Sequence, residues 1–299
     1  MIDAAGGLLA VALRFAAYTA TTGLIGAWVF GQVVLDRMGS AVAPPAREEW
    51  RAFARRTATW CAGVLALSAL VRLFAPVVTV PGAQSGAVGL NAIATTWGAT
   101  LVVQGVAAFV VTVALIRLGA TAAWPTAARA GVIVLVIVPP FLAHAGTMDD
   151  HRVMSVIVDV VHGAAAGAWA GALALLTTTV LRERQSSAAP EHAAALIVAF
   201  HRIAVIAAPA VFLTGLATAW LRMGAPTGIA SPTYSGLFVA KLLLVGVTGA
   251  LGAGHSKLAT RRVQAVALAH VGRTLLSESL IAVLVLMVTA VLVGTAPIG

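Results

Sequence analysis

Residues 153–178 read VMSVIVDVVHGAAAGAWAGALALLTT, an apolar run interrupted only by one aspartate, one histidine and a few small polar residues. A helix needs about 20 residues to cross ~30 Å of hydrocarbon, so this run is long enough to span a bilayer. It is continuously apolar rather than alternating, which does not fit a strand of a membrane β-barrel. The run therefore predicts a transmembrane α-helix that carries Asp159 and His162 into the lipid region.

Seven further runs of the same kind occur, and the composition agrees with them. Of the 299 residues 60% are hydrophobic and 10% are charged, whereas a soluble domain carries about 25% charged residues. The mean hydropathy is +0.99. We therefore expect an all-α membrane protein, a single-domain bundle of eight transmembrane helices. The predicted spans are 9–35, 57–77, 92–116, 127–146, 153–178, 199–222, 236–256 and 274–296.

The positions of the basic residues predict the orientation of the bundle. Lysine and arginine outnumber aspartate and glutamate by 19 to 10, and they cluster between spans one and two, three and four, five and six, and seven and eight. Cytoplasmic loops of membrane proteins carry such an excess. We therefore expect both termini on the outer side of the membrane, which is the periplasmic side if the protein is bacterial, and all four basic loops in the cytoplasm. Because the excess is confined to these short loops, it does not indicate a nucleic-acid partner.

A weak internal repeat suggests that the bundle consists of two related halves. Gln104 follows Thr96 by eight residues in span three, and Lys241 follows Thr233 by the same offset in span seven. Four spans per half is an even number, so the two halves would be parallel rather than inverted. The halves would comprise residues 1–146 and 147–299.

The candidate metal ligands are concentrated where span four ends and span five begins. Imidazole and thioether groups together suit copper, as Cu(I) or Cu(II). Asp159 and His162 lie within the span, where polar groups are costly and usually functional. The candidates outside the span could instead belong to a solvated turn. Met154 could instead fill space in the core. The six candidates are His144, Met148, His151, Met154, Asp159 and His162.

Four other residues could line or tune a transport path. At 100° per residue, Trp169 shares a face of span five with His162, where it would pack beneath the site. Lys241 could neutralise Asp159 or extend to the outer interface. His201 opens span six on the inner side. Glu278 could receive an ion near the cytoplasm or pair with a basic loop residue.

The remaining features narrow the function classes. The single cysteine, Cys61, excludes a disulfide framework within the chain. The chain has no phosphate loop, zinc-protease motif or nucleophile–base spacing, so we do not predict an enzyme. His192 and His255 fall in or beside cytoplasmic loops and are expected to be solvated.

The run from Asp159 to Gly171 resembles the signature of the CopD family, bacterial inner-membrane copper-resistance proteins. The likeness continues in order through spans six to eight. What the resemblance implies is an eight-span protein that moves copper across the inner membrane, with a separate periplasmic CopC-like copper-binding protein as donor. The later matching elements are Phe200-His201-Arg202, Thr214-Gly215, Thr233-Tyr234, Lys241, Glu278 and Thr289–Pro297.

Two positions depart from the family pattern, and two rival functions stay open. His201 stands where a small hydroxyl residue is usual, and His255 stands where an asparagine is common. One rival is a b-type haem protein for electron transfer, which needs axial ligands on facing helices. The other is a sensor or assembly subunit that binds copper without transporting it.

Overall fold

The computed structural model of the chain describes residues 4–38, 42–79, 93–118, 124–142, 151–183, 188–223, 232–259 and 265–295. These ranges are almost entirely helical and contain no strand. Helix α1 comprises Ala4–Val29, a π-helical turn at Phe30–Val34, and Leu35–Arg37; α5 comprises Arg152–Ala166, a π-helical turn at Gly167–Gly171, and Ala172–Glu183. The others are α2 (Pro44–Thr79), α3 (Thr96–Leu118), α4 (Thr126–Ile137), α6 (Ala189–Met223), α7 (Pro232–Ala259) and α8 (Ala265–Leu292).

The chain is a multi-pass membrane protein. In the described ranges seven helices, all except α4, are long and apolar enough to cross a membrane. Large apolar side chains such as Trp60, Ile116 and Ile206 are exposed on the outside of the bundle, where lipid would cover them. Several helices also begin well before the predicted spans, since α2 begins at Pro44 rather than 57 and α6 at Ala189 rather than 199.

The fourth predicted span is represented by a shorter helix. Helix α4 ends at Ile137, and a single further helical turn covers Pro139–Leu142. Pro139 and Pro140 have no backbone N–H, so the helical hydrogen-bond ladder cannot continue through them. The rest of this predicted span, 143–146, lies outside the described residues. The count of eight spans and the two parallel halves therefore stay predictions.

Helices α1 and α5 cross in very close contact. A Cβ atom added at Gly26 would overlap the backbone of Gly171, and one at Gly171 would overlap the carbonyl oxygen of Thr22. At Gly167 it would overlap the side chain of Ile25. Small residues allow such approach of helices in membranes. The crossing fixes the rotation of α5 about its axis, and with it the direction in which Asp159 and His162 project.

The ends of α2, α5 and α6 that are predicted to face the cytoplasm are joined by a polar cluster. Trp50 Nε1 donates a hydrogen bond to Glu183 Oε1 at 3.3 Å, and His192 Nδ1 lies 3.2 Å from Glu183 Oε2. The Trp50 and His192 rings meet edge to face at 5.3 Å. His192 was expected to be solvated, but its side chain is only 14% exposed, because the extended helix ends pack against one another.

Candidate functional site

A cavity of about 220 Å³ lies between α1, α5, α6, α7 and α8, with Pro139 and Pro140 closing one side. Its walls are mainly apolar and carry a small number of polar groups. Pockets of this composition are typical of small-ligand sites. The polar side chains lining it are those of Tyr18, Thr21, Thr22, Asp159, His162, Thr218, Tyr234, Lys241, Thr248 and Thr289, together with the indole of Trp169.

Asp159 and His162 line the cavity from α5, and each is held by a threonine of α6. Thr218 Oγ1 donates to Asp159 Oδ1 at 2.9 Å, and His162 Nδ1 lies 3.0 Å from Thr214 Oγ1. Helices α5 and α6 are antiparallel. His162 therefore lies about one turn after Asp159 on α5, while its partner Thr214 lies one turn before Thr218 on α6. This pairing holds the carboxylate and the imidazole on the same wall of the cavity.

Gly215 of α6 lies beside the imidazole of His162. A Cβ atom at Gly215 would lie 3.5 Å from His162 Cε1, which is ordinary van der Waals contact. The imidazole therefore packs against bare backbone, and a large side chain at position 215 would compete with it for the same volume. Gly163, beside His162 on α5, is open, with nothing within 4 Å of an added Cβ.

Lys241 and Trp169 complete the part of the cavity that the sequence analysis singled out. Lys241 lines it from α7, so an ammonium group shares the cavity with the Asp159 carboxylate. Trp169 lies in the π-helical turn of α5, is 9% exposed and also lines the cavity. It lies about 10 Å beyond His162 along the helix axis. Turns of this kind often occur at functional sites.

The other predicted site residues lie elsewhere. His151 and Met154 are exposed at the start of α5, outside the cavity lining, with Met154 56% exposed. His201 on α6 and Glu278 on α8 are also outside the lining. Glu278 is buried, with Oε2 3.7 Å from the position of a Cβ at Gly252. The remaining two, His144 and Met148, lie outside the described residues.

Thr218 is a contact that sequence reasoning missed. A signal for it was present, since Thr214 and Thr218 are four residues apart and therefore share one face of α6. Tyr18 of α1 was missed as well, and Tyr234 of α7 was named only as an element of the family resemblance, not as a site residue. Only the assembled bundle brings these helices around one cavity.

The donor set of the described cavity is smaller than that of a usual site for a tightly held metal ion. In the parts of the chain that the structure describes, no three histidine, cysteine, aspartate or glutamate residues lie close enough to hold one ion together. The described lining offers one carboxylate, one imidazole and several hydroxyls, without a thiol or thioether. Imidazole accepts either oxidation state of copper, whereas a carboxylate favours the harder Cu(II).

Comparison with known proteins bears on the last third of the chain. Residues 194–292 match the family model for CopD, copper resistance protein D. This segment, about a third of the chain, is therefore similar to copper resistance protein D. The matched segment includes Thr214, Thr218 and Lys241, but α5 with Asp159 and His162 precedes it. Comparison with curated proteins and with solved structures finds no significant match.

Proposed function

We propose that this membrane protein, with its CopD-like region at 194–292, moves copper ions across the bacterial inner membrane and is not an enzyme. Copper is the cargo, and the cavity between α1 and α5–α8 holds the ion in passage. The observation that carries the proposal is the pair Asp159 and His162, fixed by Thr218 and Thr214 on the wall of that cavity.

The chemistry of this pair suits reversible binding. A carboxylate and an imidazole supply one oxygen and one nitrogen donor, and both atom types bind copper. Two strong protein ligands are fewer than the three or four that usually hold a resident metal. Water or nearby hydroxyls would complete the coordination shell. An ion bound this way is released more readily, which transport requires.

The charged and aromatic neighbours have distinct roles in this proposal. Lys241 reduces the negative charge that Asp159 presents, so the cavity does not trap a cation. Trp169 shields the site from water. On the outer side, His144, Met148, His151 and Met154 would collect copper delivered by a periplasmic CopC-like protein. On the inner side, His201 and Glu278 would lie near the end of the route.

The two rival functions have less support. A b-type haem needs a second axial ligand facing His162, and the described lining contains no other histidine and no cysteine or methionine. A sensor that only binds copper outside would have no use for ligands inside the bundle. Asp159 and His162 instead lie roughly 10–15 Å along α5 from its first residue, at 1.5 Å per residue.

Transport by purified protein in liposomes tests the proposal. We expect wild-type protein to carry copper to a probe sealed inside, and His162→Gln or Asp159→Asn to slow the flux at least about tenfold through loss of a ligand. Arg152→Gln is the matched control within the same helix, since that side chain is exposed, lies outside the cavity and is not among the proposed ligands. We expect it to reduce the flux much less.

Three results would count against the proposal. A wild-type rate of copper flux in both cavity variants would show that Asp159 and His162 do not form the transport site. Binding of copper by wild-type protein without flux would favour the sensor function. A Soret absorption band in the purified protein would favour the haem function.

A further inference from the structure

The hydroxyl of Thr214 has three neighbours but only one proton. Its Oγ1 lies within hydrogen-bond distance of the backbone carbonyl of Ala210 and 3.3 Å from the carbonyl of Val211. Threonine in a helix commonly bonds back to the carbonyl four residues earlier in this way. The third neighbour is His162 Nδ1, at 3.0 Å. A hydroxyl proton directed at either carbonyl leaves a lone pair of Oγ1 facing the imidazole.

An imidazole nitrogen facing a lone pair must itself carry a proton to form a hydrogen bond. A neutral histidine has one protonated nitrogen and one unprotonated nitrogen. With the proton on Nδ1, the lone pair that can bind a metal is on Nε2. In the opposite tautomer, two lone pairs would face each other at 3.0 Å, unless Thr214 gave up its bond to Ala210.

We propose that Thr214 is a positioning residue that fixes His162 in the tautomer protonated at Nδ1, so that Nε2 is the nitrogen offered to the cavity. This inference rests on the proposed function in one respect, that the ligand for Nε2 is a copper ion. Partners that fix the tautomer and ring orientation of a metal-binding histidine typically change metal affinity by 10- to 100-fold when removed. The geometry assigns that role to Thr214.

Nitrogen NMR of copper-free protein tests the tautomer directly. In ¹⁵N-histidine-labelled protein, at a pH where the ring is neutral, the unprotonated nitrogen resonates far downfield, and Nε2 couples strongly to both ring C–H protons. The spectrum of His162→Gln identifies the signals of His162. We expect the wild type to show unprotonated Nε2. Thr214→Val should produce a mixture of tautomers, and Thr214→Ser should restore the wild-type pattern.

The matched control is Thr218→Val, one turn further along α6. That residue bonds Asp159 rather than His162, so the tautomer of His162 should not change, although the packing change is the same. A His162 protonated at Nε2 in the wild type, or an unaltered tautomer in Thr214→Val, would overturn the inference. Rescue by serine separates the hydroxyl from a general effect of the valine on folding.

Copper titration of the same variants keeps this inference distinct from the proposed function. We expect Thr214→Val to bind copper 10- to 100-fold more weakly and Thr214→Ser to bind nearly as the wild type does. If the NMR result is as expected but His162→Gln binds and transports copper normally, the proposed function fails and the tautomer assignment holds. If His162→Gln loses copper binding but the NMR result is reversed, the function holds and the role of Thr214 fails.

Discussion

In each of two regions of the bundle a histidine and a carboxylate lie close together, but the surroundings of the two pairs differ. In the cluster at the predicted inner end, both oxygens of Glu183 are used by ring nitrogens, those of Trp50 and His192, from two other helices. In the cavity, Asp159 and His162 lie on one helix, and each is oriented by one hydroxyl of α6.

The difference shows that a histidine and a carboxylate do not by themselves make a binding site. None of Trp50, Glu183 and His192 lines the cavity, and the indole of Trp50 is buried. Their hydrogen bonds link α2, α5 and α6, so the cluster serves the packing of the helices. Asp159 and His162 instead line a cavity that is large enough for a small ligand. Three variants test this distinction.

Gly171→Ala should have the largest effect, because Gly171 lies on α5 between the two regions. An added Cβ would overlap the backbone of Thr22 and Gly26 on α1, and backbone cannot move aside as a flexible side chain can. Overpacking of this kind costs typically 1–3 kcal/mol of stability, and here we expect at least about 3 kcal/mol. Thermal unfolding in detergent would show it, together with loss of copper binding.

Gly163→Ala is the matched control on the same helix. Nothing lies within 4 Å of its added Cβ, and alanine favours a helix over glycine by up to about 1 kcal/mol. Its melting temperature should therefore equal or exceed that of the wild type. Equal destabilisation by both substitutions would mean that the α1–α5 crossing does not fix the bundle.

Glu183→Ala should destabilise the protein and leave copper transport in place. Removing the carboxylate leaves the Trp50 and His192 ring nitrogens without their acceptor, which costs about 1–3 kcal/mol for a buried group. Glu48→Ala is the control, since that carboxylate is half exposed and pairs with Arg51 at the surface. An exposed ion pair contributes about 0–1 kcal/mol. If Glu183→Ala melted normally but lost copper flux, the roles of the two regions would be reversed.

The sequence predicted the features that depend on one helix at a time. The lipid-spanning runs follow from their length and hydropathy, and the helical period places His162 and Trp169 on one side of α5. The CopD resemblance drawn from residues in α6 to α8 is confirmed for 194–292. Each of these follows from residues that are close together in the chain.

Contacts between helices were harder to predict. The spacing of Gly163, Gly167 and Gly171 suggests a packing face, but only the crossing with α1 shows that the last two are buried in it and the first is open. In the same way, nothing near His192 in sequence points to Glu183 or Trp50. The partner in each case comes from another helix, and the rotation of that helix about its axis depends on packing throughout the bundle.

Lys241→Gln should have the smallest effect. Whether it strengthens or weakens copper binding tests how the cavity differs from the cluster at the inner end. Lys241 shares the cavity with Asp159 and His162, so its ammonium group should repel a bound cation. Coulomb repulsion screened by the surroundings would contribute about 1 kcal/mol, which corresponds to roughly fivefold tighter copper binding in the variant. Lys241→Arg keeps the charge and should bind as the wild type does. Weaker binding by Lys241→Gln would mean that the lysine holds Asp159 in place, as Trp50 and His192 hold Glu183, and the cavity would then resemble the structural cluster.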